Sequence, residues 1–98
     1  MVIALVQHFF NDEGQRLFPD WLRRIAGEAR HYDGFVSLRQ LGVPDDPTVC
    51  FMLLEFADAE RMRAWVGSPE RQALLAEQAP YRVRELQSQR FMAGPPIA

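Results

Sequence analysis

The chain has 98 residues, 48% of them hydrophobic and 24% charged, with a net charge of −2. Such a composition is that of one globular domain, and no apolar run nears the ~20 residues that a membrane-spanning helix requires. The acidic balance argues against a nucleic-acid surface, the single Cys50 excludes an intrachain disulfide or a cysteine cage, and a basic set of 11 arginines with no lysine excludes Schiff-base chemistry.

The first segment, MVIALVQHFF, is an apolar run broken by Gln7 and His8, which suits a strand buried on both faces. It lacks a basic leading region and a small-residue cleavage site, so a cytoplasmic location is expected. Next, Phe18, Leu22, Ile25 and Ala29 form one apolar stripe, which predicts a helix over roughly 12–30. Pro19 removes a backbone donor and restricts Phe18, so a late start or a kink is expected there. Asp33-Gly34 breaks the chain before a strand at 35–41, and GVPDDP turns it into a second strand at 48–56. Asp58 can cap a short helix that ends near Gly67. Ser68-Pro69-Glu70 has the cap, first-turn proline and early acid of a further helix start, running to about Ala79 before Pro80. Arg82–Met92 alternates as a more polar strand, and AGPPIA is a tail.

The order strand, helix, strand, strand, helix pair, strand predicts an α+β, ferredoxin-like fold: a four-stranded antiparallel sheet with strands one and three central. A single domain follows, with its core at about 2–92 and its tail at 93–98. The CFMLL stretch at 50–54 is apolar on both faces, whereas helices cover only one side of such a sheet. A second copy, packed sheet to sheet about a two-fold axis, is the expected cover.

The segment FMLLEFADAERMRAWVGSPERQALL, together with DGFVSLRQL at 33–41 and the first strand, resembles the antibiotic biosynthesis monooxygenase family of small dimeric α+β barrels. The resemblance carries a strand ending near Phe56, a short helix bearing Trp65 and the Ser-Pro start at 68 and 69. It implies a homodimer that oxygenates an electron-rich aromatic, quinol or polyketide-type molecule with dioxygen and without flavin, metal or nicotinamide. In that chemistry a deprotonated phenol or anthrone gives an electron to dioxygen, and the peroxide formed collapses to a quinone. Related barrels include heme-degrading monooxygenases, in which a tryptophan matching Trp65 lines the pocket and a histidine ligates heme at the position of Leu75. Their first-strand asparagine falls on Gln7. With leucine at 75, heme is not expected.

The residues themselves leave alternatives open. If the first strand presents Ile3, Leu5, Gln7 and Phe9 to the helices, Gln7 enters a pocket and could bind a substrate hydroxyl or carbonyl; otherwise it makes a strand hydrogen bond. His8 would then face the dimer side, as an imidazole base or as an interface histidine. Trp65, Trp21, Leu74 and Leu75 are expected to bound an apolar chamber between the first helix and the helix pair, although each tryptophan also fits a plain core. Arg39 is expected to pair with Glu55 across the hairpin. Arg61, Arg63 and Arg71 read as solvated helix faces, His31 suits the negative end of the first helix, and Cys50 is a small buried hydrophobe. A non-catalytic small-molecule binding dimer and a lactone isomerase remain alternative functions for the same barrel.

Overall fold

The computed structural model describes all 98 residues. Its first strand, β1 (Val2–Phe10), is buried at every even position and half-buried at every odd one. Val2, Ala4, Val6, His8 and Phe10 therefore lie under the helices, and Ile3, Leu5, Gln7 and Phe9 lie on the opposite face. This parity reverses the expected one, a point that decides the site below.

α1 (Asp12–Ala29) starts where Asn11 accepts a 2.9 Å hydrogen bond from the Gly14 amide, with Asp12 and Glu13 in the first turn. The predicted stripe of Phe18, Leu22, Ile25 and Ala29 is buried, joined by Trp21. Pro19 neither delays nor divides the helix, since it lies within one continuous α-helix on a half-buried flank facing Leu38. Gly14 has a steric role: a Cβ there would lie 2.7 Å from Phe10 Cβ and 2.9 Å from Tyr81 Cβ. The helix can thus sit down against the end of β1 only through glycine.

The Asp33-Gly34 turn is held by Gly34 at φ +83, where a side chain would also meet Arg61. β2 (Phe35–Val43) and β3 (Asp46–Phe56) run further into the proline-rich turn than expected, leaving only Pro44-Asp45 between them. Proline supplies the fixed φ of the first turn position, and Asp45 takes the left-handed second one at φ 67. α2 (Ala59–Val66) is capped by Asp58, and α3 (Pro69–Gln78) by Ser68. Gly67 between them has φ −86, so the break between the helices does not depend on a left-handed glycine. A single 3₁₀ turn at Ala79–Tyr81 then leads into β4 (Arg82–Met92).

The sheet order is β2-β3-β1-β4, all neighbours antiparallel, with β1 and β3 central as expected. One continuous core lies between its even-numbered β1 face and the helices, and it includes Phe18, Phe56, Met62 and Trp65. The other face carries Ile3 and Leu5 of β1 with Phe51 and Leu53 of β3, all only half-buried, with Leu5 directly opposite Leu53. The expected Arg39–Glu55 pair does not form. Arg39 registers with Leu53, Glu55 registers with Ser37 past a bulge, and Arg39 is exposed. Water solvates an exposed guanidinium well, so an ion pair across the hairpin adds little there.

Candidate active-site cleft

The chain places one histidine in an unusual setting. His8 is 3% exposed, stacks on Phe10 at 5.3 Å and tilts against Phe18 at 5.4 Å, and its Nδ1 is buried without a hydrogen-bond partner. Burial first, and then the nearby positive charges of Arg82 and Arg71, push its pKa down to about 4. At neutral pH the ring is uncharged and keeps a free acceptor nitrogen.

Three elements build this setting. β1 supplies His8 from its helix-facing side. Opposite it in β4 the register shifts between the Gln7–Gln87 and Phe9–Arg84 pairs, which loosens the edge strand beside the histidine. α3 carries Arg71, Leu74 and Gln78 at spacings of three and four on one side of the helix, and the charge of Arg71 acts on His8. Between α3 and β4 runs a groove of about 320 Å³, walled by Leu75, Arg82, Glu85 and Leu86 among others.

The polar groups along this seam are incompletely paired. Gln78 is fully buried, and neither its amide nitrogen nor its oxygen has a protein partner, a state that costs on the order of 1–3 kcal/mol per group. Arg82 donates one bond of 3.3 Å to the Leu75 carbonyl, while its Nε is buried and unpaired. Arg71 donates one bond of 3.0 Å to the Val66 carbonyl. Its own pKa is lowered, first by burial and then by the charge of Arg90.

The predicted site residues separate in the fold. Gln7 lies on the open face with Phe51 and Gln87, outside any space under the helices, and His8 takes the inner position instead. Strand parity is the reason, because a shift of one residue exchanges the two faces. Trp65 is 1% exposed and meets Tyr32 edge to face at 5.2 Å, whereas Trp21 packs against Phe10 and Tyr81. Both tryptophans fill core rather than bound a common chamber. Leu74 borders a groove of about 500 Å³ between α1 and α3, which the 2.7 Å Arg24–Glu77 ion pair crosses, and Leu75 borders the α3–β4 groove. Adjacent helical residues point about 100° apart, so these two leucines serve different spaces.

Arg71, Gln78 and Arg82 were not singled out for chemistry by the sequence, and Arg71 is half-buried rather than a solvated helix residue. The available signal was helical spacing: 71, 74 and 78 share a side of α3, and two of those three positions are polar on an inward stripe.

The family description "Antibiotic biosynthesis monooxygenase" matches residues 1–77. The chain belongs to the antibiotic biosynthesis monooxygenase family. Among solved structures, a Deinococcus radiodurans protein provisionally named an antibiotic biosynthesis monooxygenase superposes with a TM-score of 0.88 at 18% identity, over 100% of this chain and 97% of that one. SnoaB of Streptomyces nogalater, described as a cofactor-independent oxygenase, gives 0.80 at 16% identity, covering 98% of this chain and 96% of its own. Rv0793 of Mycobacterium tuberculosis gives 0.83 at 12% identity, covering 99% and 98%. No curated protein matches by sequence. At these identities the structural likeness speaks to the fold, and the antibiotic biosynthesis monooxygenase assignment rests on the family match. It identifies the chain as monooxygenase-like at the level of the family.

Proposed function

We propose that this protein is a homodimeric, cofactor-independent monooxygenase that oxidises an aromatic, quinol or polyketide-type molecule with dioxygen in the α3–β4 cleft, with His8 as proton acceptor. The observation that carries the reading is the buried, neutral imidazole with an unpaired Nδ1, on the strand that pairs with β4, whose Arg82, Glu85 and Leu86 wall an open groove. General-base catalysis needs an uncharged acceptor held within reach of the substrate proton, and a histidine that titrates near 4 is uncharged throughout the neutral range.

For an anthrone the sequence of steps balances. His8 takes a proton from the ring methylene, leaving a carbanion that is delocalised as a phenolate-like enolate. That anion passes one electron to dioxygen, and the radical pair joins as a C–O bond to give a peroxide anion, which takes up a proton to become the hydroperoxide. Loss of the second methylene proton breaks the O–O bond, forming the quinone carbonyl and releasing the distal oxygen as hydroxide. Hydroxide takes up a proton to become water, so one oxygen atom enters the product and the other leaves as water. The substrate supplies all the electrons. Phe10 and Phe18 give His8 an apolar flank, which keeps its imidazole uncharged.

The dimer in this reading is supported by Ile3, Leu5, Phe51 and Leu53 on the uncovered sheet face.

The test is oxygen uptake by the purified protein with a panel of hydroquinones and anthrones and no flavin, metal or heme added. Uptake above the autoxidation blank, reduced about a hundredfold in His8→Phe, is the expected result for loss of a general base. A second reading, a binding dimer without turnover, is favoured by one observation: the charged neighbours acting on His8 are arginines, with no carboxylate to relay its proton. Ligands that raise the melting temperature without oxygen uptake across the panel would establish that reading instead.

A further inference from the structure

His8 is closed off on every side but one. Cys50 stands directly opposite it on β3 and is buried. Phe10 and Phe18, both buried, lie against its ring, and the buried Val6 precedes it on the same face of β1. The remaining neighbour is β4, and there the pairing is irregular. Gln7 pairs with Gln87 and Phe9 with Arg84, so two residues of β4, Glu85 and Leu86, stand opposite the single His8. Such a bulge breaks the usual alternation of faces. Glu85 and Leu86 both wall the α3–β4 groove together with Leu75 and Ala76 of α3, so both lie on the helix side of the sheet, the side that His8 occupies.

Leu86 is the cover on that side. Along β4 every residue after Arg82 is exposed except Leu86, which is half-buried and packs against the core that contains Phe10 and Phe18. It therefore has the groove on one flank and the core on the other. β4 is an edge strand, held by a ladder to β1 alone, and the bulge interrupts that ladder opposite His8. α3 packs chiefly on α1 and only sparsely on β4, so no dense layer presses the leucine down.

We propose that Leu86 is the access residue of this site: the groove is a vestibule, and substrate and dioxygen reach His8 where the Leu86 side chain turns from the core toward the groove. The proposal rests on His8 being the base, as in the reading above, and names the side chain that decides what reaches it. A half-buried leucine can exchange staggered rotamers without the strand unfolding. Closed, Leu86 keeps water off the unpaired Nδ1; open, it joins the groove and the imidazole in one space.

The experiment labels the histidines with diethyl pyrocarbonate at pH 7 and follows His8 and the exposed His31 separately by peptide mass spectrometry. The reagent attacks an uncharged imidazole nitrogen, and His8 is uncharged at that pH, so its rate reads access. In the parent, His8 is expected to react at least about tenfold more slowly than His31, and Leu86→Ala to raise the His8 rate about tenfold with His31 unchanged. Leu86→Val, a smaller truncation, should give a smaller rise and decides the matter where the alanine variant does not fold. Trp65→Phe is the control for simple loosening, since it weakens the core beside Tyr32 and leaves the groove untouched. His8 reacting as fast as His31 in the parent would overturn the proposal, because no cover would then exist. So would an unchanged His8 rate in the Leu86 variants, or an equal rise in Trp65→Phe. The label reads access and not turnover, so a protein that consumes no oxygen yet shows this pattern would lose the oxygenase reading and keep Leu86 as the door to His8.

Discussion

His8 couples stability to pH through its protonation. Its folded pKa of about 4 lies below the ordinary 6.5, so the folded state binds fewer protons at this site than the unfolded chain does. Stability from the neutral ring is therefore complete above pH 6.5, declines as pH falls through that value, and is lost by pH 4. The shift amounts to on the order of 3 kcal/mol. Urea unfolding at pH 7 and at pH 4.5 should show His8→Phe losing less stability than the parent between the two conditions; equal losses would contradict the depressed pKa. Trp65 behaves differently, because it is 1% exposed and touches Tyr32 rather than any groove. Trp65→Phe should lower stability by about 1–3 kcal/mol while leaving ligand affinity unchanged. Sequence composition marked Trp65 as the more prominent pocket residue, since an aromatic beside a helix break draws attention, but a tryptophan's size equally suits it to filling core.

At the scale of elements, the capping chemistry was legible residue by residue. Asp58 and Ser68 accept from Arg61 and Arg71 amides at 2.9 and 3.2 Å, as their positions before α2 and α3 foretold. Ser68→Ala should cost about 1 kcal/mol, measurable by thermal unfolding, and it would also loosen the turn whose Val66 carbonyl holds Arg71. Gly14 runs against helix propensity. Alanine there would favour an isolated helix, yet its Cβ would collide with Phe10 and Tyr81, so Gly14→Ala should destabilise the protein by about 1–3 kcal/mol in the same assay. Neither the collision nor the α3–β4 groove is visible along the chain, because both arise between elements far apart in sequence. Pro19 is the converse case. A rule about isolated helices predicts a break there, and the packing of Phe18, Trp21 and Leu22 on the core holds one helix through it.

For the whole molecule, the uncovered sheet face is the dominant unsolved surface of the single chain. The proposed dimer predicts a mass of twice 11.3 kDa by light scattering at micromolar concentration. Leu53→Asp, directly opposite Leu5 at the centre of that face, should shift the mass to that of a monomer. A monomeric parent would refute the sheet-to-sheet arrangement. The two faces of β1 are distinct, with His8 inward and Gln7 outward, so the proposed ligand site and the proposed dimer use opposite faces of one strand.

By itself the sequence determined the order of the elements, the central strands, the caps of α2 and α3 and the family, because these follow from local chemistry: hydrophobic spacing, turn residues and side chains that bond to nearby amides. It did not determine which face of β1 lies under the helices. Val2 to Val6 is apolar at odd and even positions alike, so the strand carries no parity signal of its own. Tertiary packing decided that question, and with it the exchange of Gln7 for His8, the closing of Trp21 and Trp65 into core, and the burial of Gln78 without a partner. Which polar groups share a desolvated space depends on the distances that folding creates between segments, and a linear pattern does not contain them.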